Sequence, residues 1–512
     1  MARKEAFSDY INAGYDCKGD TIILGGAMLD GTPLANTLVK VPLKTMNRHG
    51  LIAGATGTGK TKTLQVISEQ LSEKGVPVLL MDVKGDLSGI AMPGEEKPFI
   101  TERHAKIGLP YSVKGCPVEL LTISKQDGVR LRATVSEFGP VLLSRILDLN
   151  DTQSGVLAVI FKYCDDNRLP LLDLKDLKKT IQYVTEEGKE EIQKSYGTIS
   201  PATTGIILRK VMELEQQEAD LFFGEISFDI RDLMRHDRNG NGYVNIIRLT
   251  DIQDRPKLFS TFMLCLLAEV YDVMPERGDV DKPELVIFID EAHLIFNQAS
   301  KALLDEIENI VKLIRSKGIG VFFVTQNPMD VPNEVLAQLG LKVQHALRAF
   351  TAIDRKAIKL TAENFPLSDY YKTDEALTSL GIGEALVTAL NEKGIPTPLA
   401  ATMMRAPSSR MDILTQSELD SINRNSDLVR KYSEVIDRES AYEILTAKVE
   451  NIQKQAQDEA QRKEWEKMGD KERTTYRPSG RSGNVLRNPV VKVLTSATFI
   501  RGVLGIMKKV IR

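Results

Sequence analysis

The chain has 512 residues, 42% hydrophobic and 27% charged, with a formal net charge of −3. That is longer than one ordinary domain and balanced like a globular protein, and the total charge suits neither a nucleic-acid coat nor an acidic-substrate binder, so any DNA-facing surface is expected to be a local patch or a pore lining. The four cysteines, Cys17, Cys116, Cys164 and Cys265, stand apart with no CxxC pair and no histidine cluster, which argues against a metal centre and a disulfide framework.

In chain order, MARKEAFSDY lacks the apolar stretch of a signal peptide. Residues 1–45 carry two short β-like stretches, 21–24 and 37–42, joined by Gly- and Pro-containing turns, and read as a short N-terminal β segment. A strand ending in Leu51-Ile52-Ala53 then leads into a Gly-rich loop and a helix over about 60–74. A second, nearly continuous apolar strand follows at 76–82, as parallel strands show. Strand, loop, helix and strand make one βαβ unit.

From about 134 the pattern turns helical, and 134–240 reads as a mainly α-helical insertion. β-character returns at 243–249, 284–290, 320–325, 342–348 and 384–390. The longest apolar run, 258–274, is broken by Glu269 and Asp272 and is too short to span a bilayer, so it reads as a buried helix. No stable membrane insertion and a cytoplasmic location are expected. The alternation predicts an α/β fold with a mostly parallel sheet, its two parts lying at 46–133 and 241–405. Residues 406–470 read as a helical C-terminal extension, with a long charged helix or helix pair over 420–468. From Lys471 onward ten basic residues stand against one acidic, so 471–512 read as a linker and tail of about +9.

Gly54-Ala55-Thr56-Gly57-Thr58-Gly59-Lys60-Thr61 fits G-x-x-x-x-G-K-[ST] at every fixed position. Glycines let backbone N–H groups converge on phosphate oxygens with no Cβ in the way, and the helix that starts at Gly59-Lys60 adds its positive end. Lys60 is expected to reach the β- and γ-phosphates of ATP, and the Thr61 hydroxyl to ligate Mg²⁺, with Lys62 completing the nucleotide-binding set. A Gly-rich turn is the bland alternative, and the strand before and helix after the loop speak against it.

Leu285-Val286-Ile287-Phe288-Ile289-Asp290-Glu291 is an apolar strand ending in two acids. It would deliver Asp290 to the Mg²⁺ shell and Glu291 to the attacking water, and a general base beside the γ-phosphate marks hydrolysis. Gln326, at the tip of the following strand, reads either as a γ-phosphate sensor or as a cap of the turn at Asn327-Pro328. Arg315 lies near a helix end eleven residues earlier. It reads either as an arginine finger from a neighbouring subunit or as a cation on a helix dipole, with Arg348 a weaker candidate. Asp237-Arg238-Asn239-Gly240-Asn241-Gly242 opens like a calcium loop, but its twelfth position is Arg248 where a bidentate Glu is needed, so it reads as a turn.

With these motifs in order, the chain resembles the HerA/FtsK superfamily of ring ATPases, closest to the bacterial HerA-like family of the YjgR type. The resemblance is carried by GATGTGKT, by Met81-Asp82-Val83-Lys84-Gly85-Asp86-Leu87-Ser88-Gly89, by Ile287 to His293, and by Val324-Thr325-Gln326-Asn327-Pro328. Gln344-His345-Ala346-Leu347-Arg348-Ala349-Phe350 and the basic C-terminal end fit it too. It implies a RecA-like P-loop core, assembly as a homo-oligomer in a hexameric ring with ATP at subunit interfaces, and Arg315 in the position of a trans-acting finger. It also implies translocation of double-stranded DNA. The archaeal members carry a full N-terminal β-barrel that helps dock a nuclease. Only about 45 residues stand here, which argues against a nuclease partner. The rival reading is an oligomeric ATPase that remodels or signals to a protein partner. The segment 87–97 is a candidate pore loop, and the tail a candidate DNA contact, docking arm or membrane-surface helix.

Overall fold

The computed structural model describes residues 2–473, apart from 279, 297–300, 350, 435 and 437. Twelve strands follow in chain order: β1 (Thr21–Leu29), β2 (Thr32–Pro42), β3 (Gly50–Ala53), β4 (Val78–Asp82), β5 (Val118–Thr122) and β6 (Val129–Arg130), then β7 (Val244–Arg248), β8 (Leu285–Ile289), β9 (Ile319–Thr325), β10 (Leu341–His345), β11 (Glu384–Thr388) and β12 (Ala400–Met404). All join one 12-stranded sheet in the order β2-β1-β12-β11-β10-β3-β9-β8-β4-β7-β5-β6. From β10 to β6 every pairing is parallel, and from β10 back to β2 every pairing is antiparallel.

The centre is parallel because its strands are apolar throughout and covered on both faces by helices. Every residue of β4, β8 and β9 is buried. Val78, Leu80, Val286, Phe288, Phe322 and Val324 pack with Leu64, Ile67 and Leu71 of the helix Lys60–Glu73 in one core. Burying each such side chain contributes about 1.5–3 kcal/mol before entropy is counted. The order β3-β9-β8-β4 gives the RecA-like P-loop fold. It sets β9 between the strand before the Gly-rich loop and the strand that ends at Ile289.

The antiparallel edge begins with a hairpin whose two turn residues, Asp30 and Gly31, both have positive φ (49° and 74°). That suits the right-handed twist of the paired strands. Several elements go beyond the sequence expectation. Residues Ala2–Gly14 form a helix, where β strands alone were expected before residue 45. Its sequence signal is faint because only Phe7 and Ile11, one turn apart, are buried. β12 (AATMM) has few β-branched residues. β5 has Glu119 at its second position, a charge made tolerable by an ion pair with Arg235 and a 2.6 Å hydrogen bond from Ser426.

The stretch expected to be helical holds the helices Val135–Ile146, Asp151–Asp166, Leu174–Thr185, Lys189–Tyr196 and Pro201–Glu215. Capping boxes at Thr134/Glu137, Asn150/Gln153 and Asp173/Asp176 start three of them. The calcium-like sequence is a turn in which the Asp237 carboxylate accepts from the backbone N–H groups of Asn239 and Asn241 (both 2.8 Å). The apolar run is the helix Pro256–Val273. Among the described residues no helix is long and apolar enough to cross a membrane.

The described residues up to 447 form one compact unit, and those from 448 to 473 belong to a second. The polar stretch after 406 contains the helices Gln416–Asn425, Asp427–Tyr432 and Ala441–Arg473. In the second unit, residues 451–465 of the last helix are all exposed. The tail from 474 onward, with the roles considered for it, lies outside the described residues.

Candidate nucleotide site

The Gly-rich loop leaves β3 at Ala53 and enters the helix Lys60–Glu73. Gly54 and Gly59 hold φ values of 151° and 116°, which L side chains rarely adopt. A Cβ on Gly54 would stand 2.5 Å from the His345 Cβ, so this glycine is also required by space. Lys60 Nζ donates to the carbonyls of Gly54 (2.7 Å) and Ala55 (3.2 Å), and Thr58 Oγ1 donates to Ala55 O (2.6 Å). His345 braces the loop from β10. Its Nδ1 donates to Glu384 O and its Nε2 accepts from Thr63 Oγ1, each at 2.9 Å. Burial pushes its pKa down to about 4, so the ring is neutral beside Lys60.

Lys60 has its own pKa lowered, first by burial and then by the positive charge of Lys84. The Lys62 ammonium is taken by the Met411 carbonyl at 2.5 Å.

β8 ends at Ile289, and Asp290 and Glu291 follow, both buried. Burial, then the neighbouring Glu291 charge, raises Asp290 to about 7. Glu291 sits at φ 49°, a left-handed conformation costing on the order of 1 kcal/mol or more for a residue with a side chain. One of its oxygens pairs with Lys84 Nζ, and the other lies 3.1 Å from His293 Nδ1.

The loop after β4 reaches the same place. The Asp82 carboxylate accepts from the backbone N–H groups of Gly85 (2.7 Å), Asp86 (3.1 Å) and Leu87 (3.1 Å). Burial outweighs those donors and lifts Asp82 to about 6. So folded, the loop directs Lys84 to Glu291 and Asp86 to the Thr61 hydroxyl, which donates to Asp86 Oδ2 at 3.2 Å. Lys84, Asp86, His293 and His345 were not singled out as site residues from sequence. The available signal was the position of Lys84 and Asp86 just past a buried strand that neighbours β8.

Gln326 lies one residue past β9 and accepts from Thr56 Oγ1 at 3.2 Å. The turn after it is capped by Asn327, whose side chain accepts from Met329 N, and by Asp330. Turn capping thus belongs to Asn327, and the Gln326 side chain is free for the loop. Arg315 is exposed and follows the helix Lys301–Ile314 at the opposite end of β9. Seven residues of strand at about 3.3 Å each put it roughly 20 Å from Gln326. It does not join the pocket of its own chain. Arg348 lies past β10 on the loop side, where it donates to Thr378 O at 3.3 Å. The candidate pore segment does not project freely. Leu87, Gly89 and Ile90 are buried, and a Cβ on Gly89 would stand 1.9 Å from Asp412 O. Its exposed part carries Glu95 and Glu96 beside Lys97.

The pocket therefore presents backbone N–H groups and Lys60 for phosphate, and hard oxygen donors from Thr61 and Asp290. That donor set fits Mg²⁺, which takes few protein ligands and keeps water and phosphate oxygens.

The sequence is 21% identical over 369 residues to the DNA double-strand break repair helicase HerA of Sulfolobus acidocaldarius, covering 71% of this chain and 66% of that one. It is 23% identical over 360 residues to the HerA of Saccharolobus solfataricus, covering 69% and 64%. The chain thus spans slightly under two thirds of these relatives. Among solved structures, the plasmid coupling protein TrwB in complex with a non-hydrolysable ATP analogue aligns with a TM-score of 0.51 at 15% identity, over 78% of this chain and 99% of that one. Unbound TrwB gives 0.52 at 14%, over 80% and 94%, and both likenesses concern the fold. The model of the helicase HerA-like C-terminal family matches residues 28–511, and the chain belongs to that family.

Proposed function

We propose that the chain is an ATP-hydrolysing motor of the HerA/FtsK kind, working as a homo-oligomeric ring, hexameric as in the family resemblance, on double-stranded DNA. The observation that carries the hydrolytic part is the convergence of three strand ends. Lys60 and Thr61 after β3, Asp290 and Glu291 after β8, and Gln326 after β9 meet around one loop. In this reading the loop N–H groups from Gly54 to Thr61 cradle the phosphates and Lys60 bridges the β- and γ-oxygens. Thr61 and Asp290 hold Mg²⁺, which when bound neutralises charge on those oxygens. Glu291 takes the proton of the attacking water, and Gln326 orients that water from the loop side.

Arg315, at the opposite end of β9 from Gln326, serves the site of a neighbouring subunit. Double-stranded DNA as the substrate is supported by the DNA-repair helicases among the relatives. The test is steady-state ATP turnover with and without linear duplex DNA at low and moderate salt, beside a Glu291→Gln variant. Stimulation that fades with salt and is lost in the variant is expected. Turnover that needs Glu291 but ignores DNA would sink the DNA reading and point to a protein partner.

A further inference from the structure

Lys84 is the cation nearest the carboxylate that would activate water, and it is not part of either nucleotide motif. It stands just past β4, on a loop fixed by three backbone hydrogen bonds to Asp82. Gly85, with φ 79°, makes the turn that carries Lys84 across to β8. There its ammonium pairs with the buried Glu291 carboxylate, while its own side chain remains 39% exposed. Burial works against its charge, but the pair with Glu291 more than offsets this, and the ammonium is held more firmly protonated than usual. It is also close enough to Lys60 to depress that residue's pKa.

A lysine parked on the general base, on a loop that also meets Thr61 through Asp86, has two alternative partners. A carboxylate locked in an ion pair is a poor acceptor for a water proton, because part of its charge is already neutralised. A γ-phosphate brings more negative charge than a single carboxylate and would compete for the same ammonium.

We propose that Lys84 is a positioning residue that exchanges between Glu291 and the γ-phosphate of bound ATP, so that Glu291 is released for its water when a triphosphate, and not a diphosphate, fills the site. This rests on the hydrolytic reading of Glu291 given above. It adds a device by which the chain tells ATP from ADP. The left-handed backbone at Glu291 suits this role, since the strain fixes the carboxylate's direction once the lysine has left.

The experiment is a double-mutant cycle on nucleotide binding in the presence of Mg²⁺. A non-hydrolysable ATP analogue and ADP are titrated into the full chain, Lys84→Met, Glu291→Gln and the double variant. Lys84→Met is expected to weaken the analogue about tenfold, the worth of one charge-assisted contact, and ADP less than about twofold. Glu291→Gln frees the lysine and is expected to tighten the analogue about five- to tenfold, a gain that disappears when Lys84 is also Met. Lys84→Arg, which keeps the charge, should keep most of the coupling.

Simple loss of repulsion at Glu291 would tighten binding equally with and without Lys84. That additive result, or equal weakening of ADP and analogue by Lys84→Met, overturns the proposal. Turnover is measured on the same samples. A Glu291→Gln variant that still hydrolyses ATP at the full rate would refute Glu291 as the base, while the binding cycle decides the lysine exchange by itself.

Discussion

The Thr56 hydroxyl, on the Gly-rich loop, donates to the Gln326 carboxamide across 3.2 Å, and so ties the loop after β3 to the tip of β9. The contact exists because β9 is inserted between β3 and β8, which gives its terminal residue access to both the loop and the acids.

Gln326→Ala should therefore damage the chemical step more than nucleotide capture. Donors aimed at a reacting group are worth about 10²- to 10³-fold in turnover when fully engaged, and an exposed, single-contact residue should fall at the lower end, about 10- to 100-fold. The KM for ATP should stay within a few fold, since Lys60 and the loop N–H groups are untouched. Steady-state kinetics decide it. A raised KM with unchanged kcat would reduce Gln326 to a loop brace.

Asp82 carries a different prediction. Its buried carboxylate accepts three backbone N–H groups, and Asp82→Ala would orphan all three. Leaving them unmet costs on the order of 2–4 kcal/mol, enough to lower the melting temperature by several degrees. Asp82→Asn keeps the shape but turns one acceptor into a donor facing Leu87 N–H, so it should fall between. Because the same loop aims Lys84 and Asp86, kcat should drop in both variants. Thermal melts run beside turnover assays check it, and an Asp82→Ala protein with native stability would refute the loop's dependence on this carboxylate.

What the sequence made legible follows from how each signal is written. GATGTGKT and the run ending in Asp290-Glu291 are contiguous, so they could be found without knowing what lies beside them. Lys84 could not be placed, because its partner Glu291 comes from another strand and only the neighbourship of β4 and β8 brings them together. The parallel centre was readable because fully buried strands are written as unbroken apolar runs. β5 was not, because a buried Glu119 is paired from Arg235 and Ser426, both distant in sequence. The N-terminal helix was missed because two buried residues in thirteen leave almost no periodic pattern.

Arg315 yields a test of assembly. The strand β9 holds it about 20 Å from the pocket end, so its own site is complete without it. Arg315→Ala should leave nucleotide binding intact and lower turnover about 10³-fold, the lower bound for an arginine that stabilises transition-state charge. Mixed with Lys60→Ala protein, which supplies Arg315 but cannot use ATP, the Arg315→Ala chains should regain activity. Measuring turnover across mixing ratios checks this. No recovery at any ratio, in samples shown to exchange subunits, would rule out action in trans.

Acid should destabilise the fold through two buried histidines. His49 accepts from Val321 N–H at 3.0 Å through Nδ1, and burial, aided by the Arg315 charge, lowers its pKa from 6.5 to about 4. His345 is lowered to about 4 as well, chiefly by burial. Both folded pKa values lie below the unfolded one, so the unfolded chain binds more protons between them. The stability these neutral rings contribute is fully present above pH 6.5 and is lost as pH falls toward 4. Each histidine should cost up to about 1.4 kcal/mol per pH unit in that window, or about 3 kcal/mol in all. His49→Asn, whose side-chain oxygen can still accept from Val321, should flatten the slope by about one histidine's share while leaving stability at pH 7.5 little changed. Denaturant melts between pH 7.5 and 4.5 measure both slopes. Equal slopes in the two proteins would mean that His49 takes up its proton without unfolding, and that the acid sensitivity lies elsewhere.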